Sequence, residues 1–218
     1  MVVISYLSTF VEILKQHDMS IEDLKGVAIE VYGEKSLEVK NLLKHIESMN
    51  GLIAAGAIHN NYGLNDIEIL SLIILEGFAC NIIQQPAFNN RYLNNFNKIL
   101  INSLDKALLK IPRTSHGILY RQDEYYYEVP KEKDILKFNG FFTTSKDDFD
   151  NTYNIKWIIK PLSNELTKAH DIYNVYNHGY NCPYPEWQVE FERNTRFIVN
   201  KVVPKENKTE VFISELED

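Results

Sequence analysis

The hydrophobic periodicity of this chain changes once, at Pro112, and that change limits the possible folds more than any other feature. Before it, apolar residues recur at helical spacing. Ser20-Ile21-Glu22-Asp23 offers a capping serine followed by acids, and the helix it opens is expected to end near Gly33. From Glu34 to Ile46 the residues Leu37, Val39, Leu42, Leu43 and Ile46 are expected on the buried side, with an Asn50-Gly51 turn beyond. Asp66 to Ile83 is apolar almost all round, which marks a buried central helix. Asn89 to Leu109 aligns Leu93, Phe96, Leu100, Leu104 and Leu108 on one face, and Leu7, Phe10, Val11 and Leu14 give the N-terminus the same spacing.

After Pro112 the chain alternates short β-branched and aromatic runs with polar turns. Strands are expected at Gly117–Tyr120, Tyr125–Val129, Gly140–Thr144, Ile155–Ile159, Trp187–Phe191, Arg196–Val203 and Glu210–Ser214. Helices first and strands later specify an α+β fold with a mixed or antiparallel β core. The 218 residues, 44% of them hydrophobic, suffice for a substantial core. A boundary near residue 60 would separate an N-terminal helical lobe, 1–60, from a core domain, 61–218.

The net charge of −7 disfavours a phosphate-backbone partner. Cys80 and Cys182 are far apart and lack zinc-site spacing, so no metal is expected. The first residues lack a basic start and a small-residue cleavage site, and the apolar run Ile67–Cys80 is interrupted by Glu68 and Glu76 and is too short to span a bilayer. These features point to a cytoplasmic chain without a membrane partner.

Three short motifs carry chemical character. Tyr120-Arg121 puts a cation on an expected strand. Gly140-Phe141-Phe142-Thr143-Thr144-Ser145 ends a strand in three hydroxyls. Glu186-Trp187-Gln188-Val189-Glu190-Phe191-Glu192 alternates acids and amide on one face with apolar residues on the other. Each alone reads as an ordinary strand. In this order they resemble the signature of the Arg-Ser-Glu mono-ADP-ribosyltransferases, enzymes that split NAD and pass ADP-ribose to an acceptor. The resemblance covers roughly Leu64 to Asp218.

The resemblance implies NAD as substrate, without a metal. It implies that Arg121, with Tyr120, binds the phosphate side, and that Thr143, Thr144 and Ser145 brace the catalytic residue and the NAD pocket. Phe149 becomes a candidate ring partner in the loop Lys146–Asn154. The usual glycine after Tyr-Arg is here Gln122. In the third motif, an ungapped match to the turn before Phe197 puts Glu186 on the first acidic position and Gln188 on the catalytic one. Gln188-Val189-Glu190 also spells a Gln-x-Glu motif with Glu190 catalytic, if two residues are deleted before Phe197. Under the ungapped register an amide replaces the charge that would stabilise the ribose cation, by an introduced Glu-to-Gln exchange or by natural loss of activity.

The segment Tyr173–Pro185, with Tyr180 and Tyr184, joins Glu186 as the candidate acceptor-recognition region. The implied partner is an acceptor macromolecule, a protein side chain ahead of RNA or DNA, in the setting of a bacterial or phage toxin or effector. An antitoxin or immunity protein would accompany such a toxin. The alternatives are a nucleic-acid-modifying toxin and a binding module that holds NAD or a partner without chemistry. His170-Asp171 lies in a stretch that reads as helical, and a Cys182/His178 nucleophile pair can be drawn without anything to position it.

Overall fold

The computed structural model describes residues 19–124, 129–149, 152–176 and 187–217. Within them, five α-helices lead into eight strands, as the change of periodicity at Pro112 requires.

Helix α1, Ile21–Tyr32, starts at a reciprocal cap in which Ser20 Oγ accepts from Asp23 N at 3.2 Å and Asp23 accepts from Ser20 N at 3.0 Å. Helix α2 spans Leu37–Ala54 and runs straight through the expected Asn50-Gly51 turn. Met49 and Leu52 on either side pack into the helical core, and this outweighs the roughly 1 kcal/mol that glycine costs inside a helix. The chain turns instead after Gly56, at φ 68°.

The apolar stretch 66–83 is two helices, α3 at Asp66–Glu76 and α4 at Asn81–Phe88. The break falls at Gly77, where a Cβ would lie 2.5 Å from His45 Nε2 and 2.8 Å from the Ile73 carbonyl oxygen. Helix α5, Asn95–Lys110, is capped by Asn94, and a single 3₁₀ turn at Asn90–Tyr92 occupies the start of its expected range.

The helices share one apolar cluster that includes Leu24, Leu42, Leu70, Ile74, Leu100 and Leu104 and extends to Ile172 and Val175. It runs without interruption across residue 60. The segment before Met19 lies outside the described residues.

The strands are β1 Leu119–Asp123, β2 Ile135–Phe138, β3 Phe142–Ser145, β4 Ile155–Lys160, β5 Ala169–His170, β6 Gln188–Phe191, β7 Thr195–Pro204 and β8 Thr209–Glu215. They form one mixed sheet in the order β2-β7-β8-β4-β1-β3-β6-β5, in which β4 and β8 run parallel and the other registered pairs antiparallel. Phe142, Trp157, Phe191, Phe197 and Ile213 pack on one face of it. Within the sheet, β1 is registered with β3 through Tyr120↔Ser145.

Two strands, β2 and β5, stand where no strand is expected from the sequence. Of His170-Asp171, which reads as helical, His170 lies in β5 and Asp171 leads into a 3₁₀ turn at Ile172–Asn174, because the segment is stitched to the end of the helical half. His170 bridges to Arg113, and the Asp171 amide donates to the Pro112 carbonyl at 2.9 Å. The expected strand Tyr125–Val129 lies outside the described residues except for Val129, which is not in a strand.

Candidate active site

β3 and β6 bring the second and third motifs face to face. Their antiparallel register sets Thr143 opposite Glu190 and Ser145 opposite Gln188, so these four side chains share one face. The hydroxyls then divide. Thr143 Oγ1 donates to Glu190 Oε2 at 2.7 Å. Thr144, on the other face, donates to the Val189 carbonyl at 2.7 Å, which locks the two strands together. Ser145 Oγ accepts from the Asp147 amide at 3.1 Å and shapes the start of the following loop.

Glu190 is fully buried. Burial pushes its carboxyl well above the ordinary range, and the nearby charge of Glu76, at the end of α3, adds to this. The Thr143 hydrogen bond and the Arg121 charge work against the shift without cancelling it. Glu190 Oε1 has no hydrogen-bond partner among the described residues. The carboxyl is therefore held at one oxygen by Thr143 and left without a partner at the other, with no exposure to solvent.

Arg121 projects from β1 beside this pair. Its guanidinium meets Asp123 in a bidentate pair, Nε to Oδ2 at 2.8 Å and Nη2 to Oδ1 at 2.7 Å. Nη1 donates to the Thr143 carbonyl at 2.8 Å, and the group stacks 5.1 Å from the Phe142 ring. Trp157 Nε1 donates to Asp123 at 2.8 Å and fixes the acid in turn. The cation is thereby aimed before any ligand arrives.

Arg121 and Thr143 line a cleft of about 320 Å³ between the sheet and the α3–α4 corner. Leu75, Cys80, Gln84, Phe88 and Phe138 contribute to the walls. Gln84 Nε2 donates to the Phe141 carbonyl at 3.1 Å, while its buried Oε1 has no partner among the described residues. A Cβ at Gly140 would come within 2.5 Å of the half-exposed Phe88 ring, which would have to give way. The fixed guanidinium of Arg121 gives the cleft a cation, and Glu190, fully buried outside its lining, is joined to it through the Thr143 hydroxyl.

The structure thus brings together Arg121, Thr143 and Glu190. Gln188, the catalytic position under the ungapped register, is buried one pair further along, opposite Ser145. The connection from β6 to β7 is tight. Phe191 and Thr195 are separated by Glu192-Arg193-Asn194, with Asn194 at φ 66° and Thr195 Oγ1 donating to the Glu192 carbonyl at 2.6 Å. Tyr120 points away from Arg121, as alternation demands, with Lys156 Nζ 5.6 Å from its ring.

Phe149 stands 43% exposed in the loop after β3, and its carbonyl accepts from the Gln122 amide. Gln122, which departs from the usual glycine, therefore tethers this loop. Glu186, Tyr180, Tyr184, His178 and Cys182 lie outside the described residues. Sequence reasoning missed Asp123 and Trp157, whose relation to Arg121 depends on the β1–β4 pairing Arg121↔Trp157. It also read Glu76 only as an interruption in a greasy run. Among the described residues no group of three or more His, Cys, Asp or Glu is placed to hold a metal ion, and no helix is long and apolar enough to cross a membrane.

No protein-family model matches the sequence, and no curated protein does. Solved structures do match. The C3 exoenzyme of Clostridium limosum aligns at 15% identity and a TM-score of 0.58, over 79% of this chain and 95% of that one. The ADP-ribosyltransferase Vis, a toxin from Vibrio splendidus solved in complex with agmatine, aligns at 14% and 0.55, over 94% and 89%. Exoenzyme S of Pseudomonas aeruginosa, bound to carba-NAD and to the human 14-3-3 protein beta, aligns at 13% and 0.56, over 89% and 88%. At such identities the likeness is one of fold. The α+β arrangement of helices and mixed sheet is that of ADP-ribosyltransferases.

Proposed function

We propose that this protein is an NAD-consuming mono-ADP-ribosyltransferase and that Glu190, rather than Gln188, is its catalytic carboxylate. The observation that carries this reading is the 2.7 Å hydrogen bond from Thr143 to Glu190 within the β3–β6 register, with Arg121 alongside. Under this assignment the chain holds an intact Gln-x-Glu motif and is active as it stands.

Breaking the bond between nicotinamide and ribose develops positive charge on the ribose, and a buried carboxylate opposes that charge far better than one in water. Thr143 holds one Glu190 oxygen and leaves the other for a ribose hydroxyl. The cationic nicotinamide ribose, once bound, favours the ionised form of a group that burial otherwise keeps protonated. Arg121 supplies a fixed guanidinium for the diphosphate, and Gln84 and Asn81 offer polar contacts along the cleft. Gln188, buried one pair from Glu190, takes the role of orienting the acceptor. The acceptor class is a protein side chain, and the setting is that of a toxin or effector.

The test is incubation with labelled NAD and a cell lysate, with nicotinamide release followed and the products treated separately with protease and nuclease. Nicotinamide release with protease-sensitive label supports the reading. Nuclease-sensitive label would move the acceptor to nucleic acid, and absence of nicotinamide release would leave a binding module.

A further inference from the structure

A second cluster sits at the other end of the β3–β6 pair, away from the cleft of Arg121. Lys146, directly after β3, extends a largely buried side chain whose ammonium donates to Asp171 Oδ2 at 3.1 Å and to Tyr173 Oη at 2.5 Å. The same ammonium lies 4.5 Å from the Tyr173 ring centroid. The Tyr173 ring in turn meets Trp187 edge to face at 5.0 Å, and the Lys146 amide donates to the Trp187 carbonyl at 3.0 Å. Lys146, Asp171 and Tyr173, from two segments, thus hold Trp187, the residue that precedes Gln188.

A buried ammonium is held at such a place only against the desolvation that opposes its charge, and here Tyr173 and Asp171 overcome it, so the Lys146 charge is held more firmly than that of a free lysine. Asp171 Oδ1 is buried with no hydrogen-bond partner among the described residues, and Oδ2 is met by Lys146 and, at 3.3 Å, by the Tyr173 hydroxyl, so Lys146 supplies the charge that compensates the carboxylate. Trp187, in contrast, is 41% exposed. The cluster fastens the backbone under an indole that faces outward, next to the buried Gln188 and three residues from Glu190.

We infer that Lys146 is a positioning residue for the acceptor half of the proposed reaction, holding Trp187 and Gln188 where an incoming nucleophile meets them. The inference rests on the transferase reading. Its geometry separates it from NAD cleavage, because Thr143, which donates to Glu190, and Arg121, which is held by Asp123 and the Thr143 carbonyl, share no hydrogen bond with the Lys146 cluster among the described residues. A displaced Trp187 would misdirect a bulky acceptor, whereas water reaches the ribose without guidance.

The experiment compares wild type, Lys146→Met, Lys146→Arg and Tyr173→Phe. It measures nicotinamide release from NAD in buffer and label transferred from NAD to lysate proteins, with thermal unfolding of each variant. Lys146→Met is expected to lower transfer by about tenfold, modest beside what misplacement by an ångström can do, while nicotinamide release stays within about twofold. Lys146→Arg restores most of the transfer, and Tyr173→Phe, which keeps the charge pair, gives a smaller loss of the same kind. Proportional loss of both activities, or no loss of transfer, overturns the inference. So does a wild type that cleaves NAD but labels nothing. A wild type that releases no nicotinamide overturns the transferase reading itself. If Lys146→Met unfolds, the ratio of the two activities in Tyr173→Phe decides alone.

Discussion

Replacing Thr143 by valine tests the link between strand register and chemistry. Valine keeps the β-branched shape on β3 and removes only the hydroxyl that donates to Glu190 at 2.7 Å. A hydrogen bond to a charged group contributes about 1.5–3 kcal/mol. If it holds the reactive carboxylate in place, its loss should lower NAD cleavage roughly 10- to 150-fold, at about 1.4 kcal/mol per factor of ten. The pH dependence gives a second, independent sign. Burial and Glu76 raise the Glu190 carboxyl, and the Thr143 bond lowers it. Catalysis needs the ionised form, so the rate falls as pH drops through the raised value. Removing the bond raises that value further, and the acid limb of the profile must move to higher pH. The assay is nicotinamide release against pH for wild type, Thr143→Val and Thr143→Ser, the serine retaining the donor. An unmoved limb in the valine variant, or a shift to lower pH, refutes the reasoning even if the rate falls.

Further expectations concern the surrounding structure. Arg121→Met should weaken NAD binding by about 1.5–3 kcal/mol in calorimetry, and Arg121→Lys should recover little of it, because a point charge cannot reproduce the fork held by Asp123. Gly140→Val should lower stability by about 1–3 kcal/mol in denaturant unfolding, since its side chain would enter the Phe88 ring. Leu104→Ala, in the centre of the helical cluster, should cost about 2–5 kcal/mol by the same measurement. Glu192 is held below its usual value chiefly by the His170 hydrogen bond, 2.9 Å from Nε2. A depressed carboxylate adds stability that is present above its unfolded value and lost as pH falls through the folded one. The stability gap between wild type and Glu192→Gln should therefore be open at neutral pH and close under acid conditions, as thermal unfolding across pH would show.

What the sequence disclosed follows the physics of each element. The helical faces of Leu42, Leu70 and Leu104 and the alternation at Val189 and Phe191 are local patterns, and the structure buries those residues. Breaks in the pattern were less visible. Asn50-Gly51 reads as a turn but is overruled by the packing of Met49 and Leu52, while the helix ends at Gly77, where His45, 32 positions away in the chain, leaves no room for a Cβ. β2 and β5 are short and owe their existence to their partners β7 and β6. The site was legible as three motifs, each positioned by a local strand, but the pairing between them was not. Counting back from Phe197 places Gln188 on the motif's last position, while the Thr143 hydroxyl meets Glu190, a contact set by the cross-strand register that a count along one strand does not carry.

Nicotinamide release from NAD by wild type, Glu190→Gln and Gln188→Glu, measured side by side on folded proteins, tests the central assignment most directly. Removing one preorganised charge-stabilising group commonly costs about a hundredfold or more in rate. The assignment therefore predicts an active wild type, a loss of at least that size in Glu190→Gln, and at most a few-fold change in Gln188→Glu. An inactive wild type that Gln188→Glu brings to life, with Glu190→Gln inconsequential in that background, would contradict it.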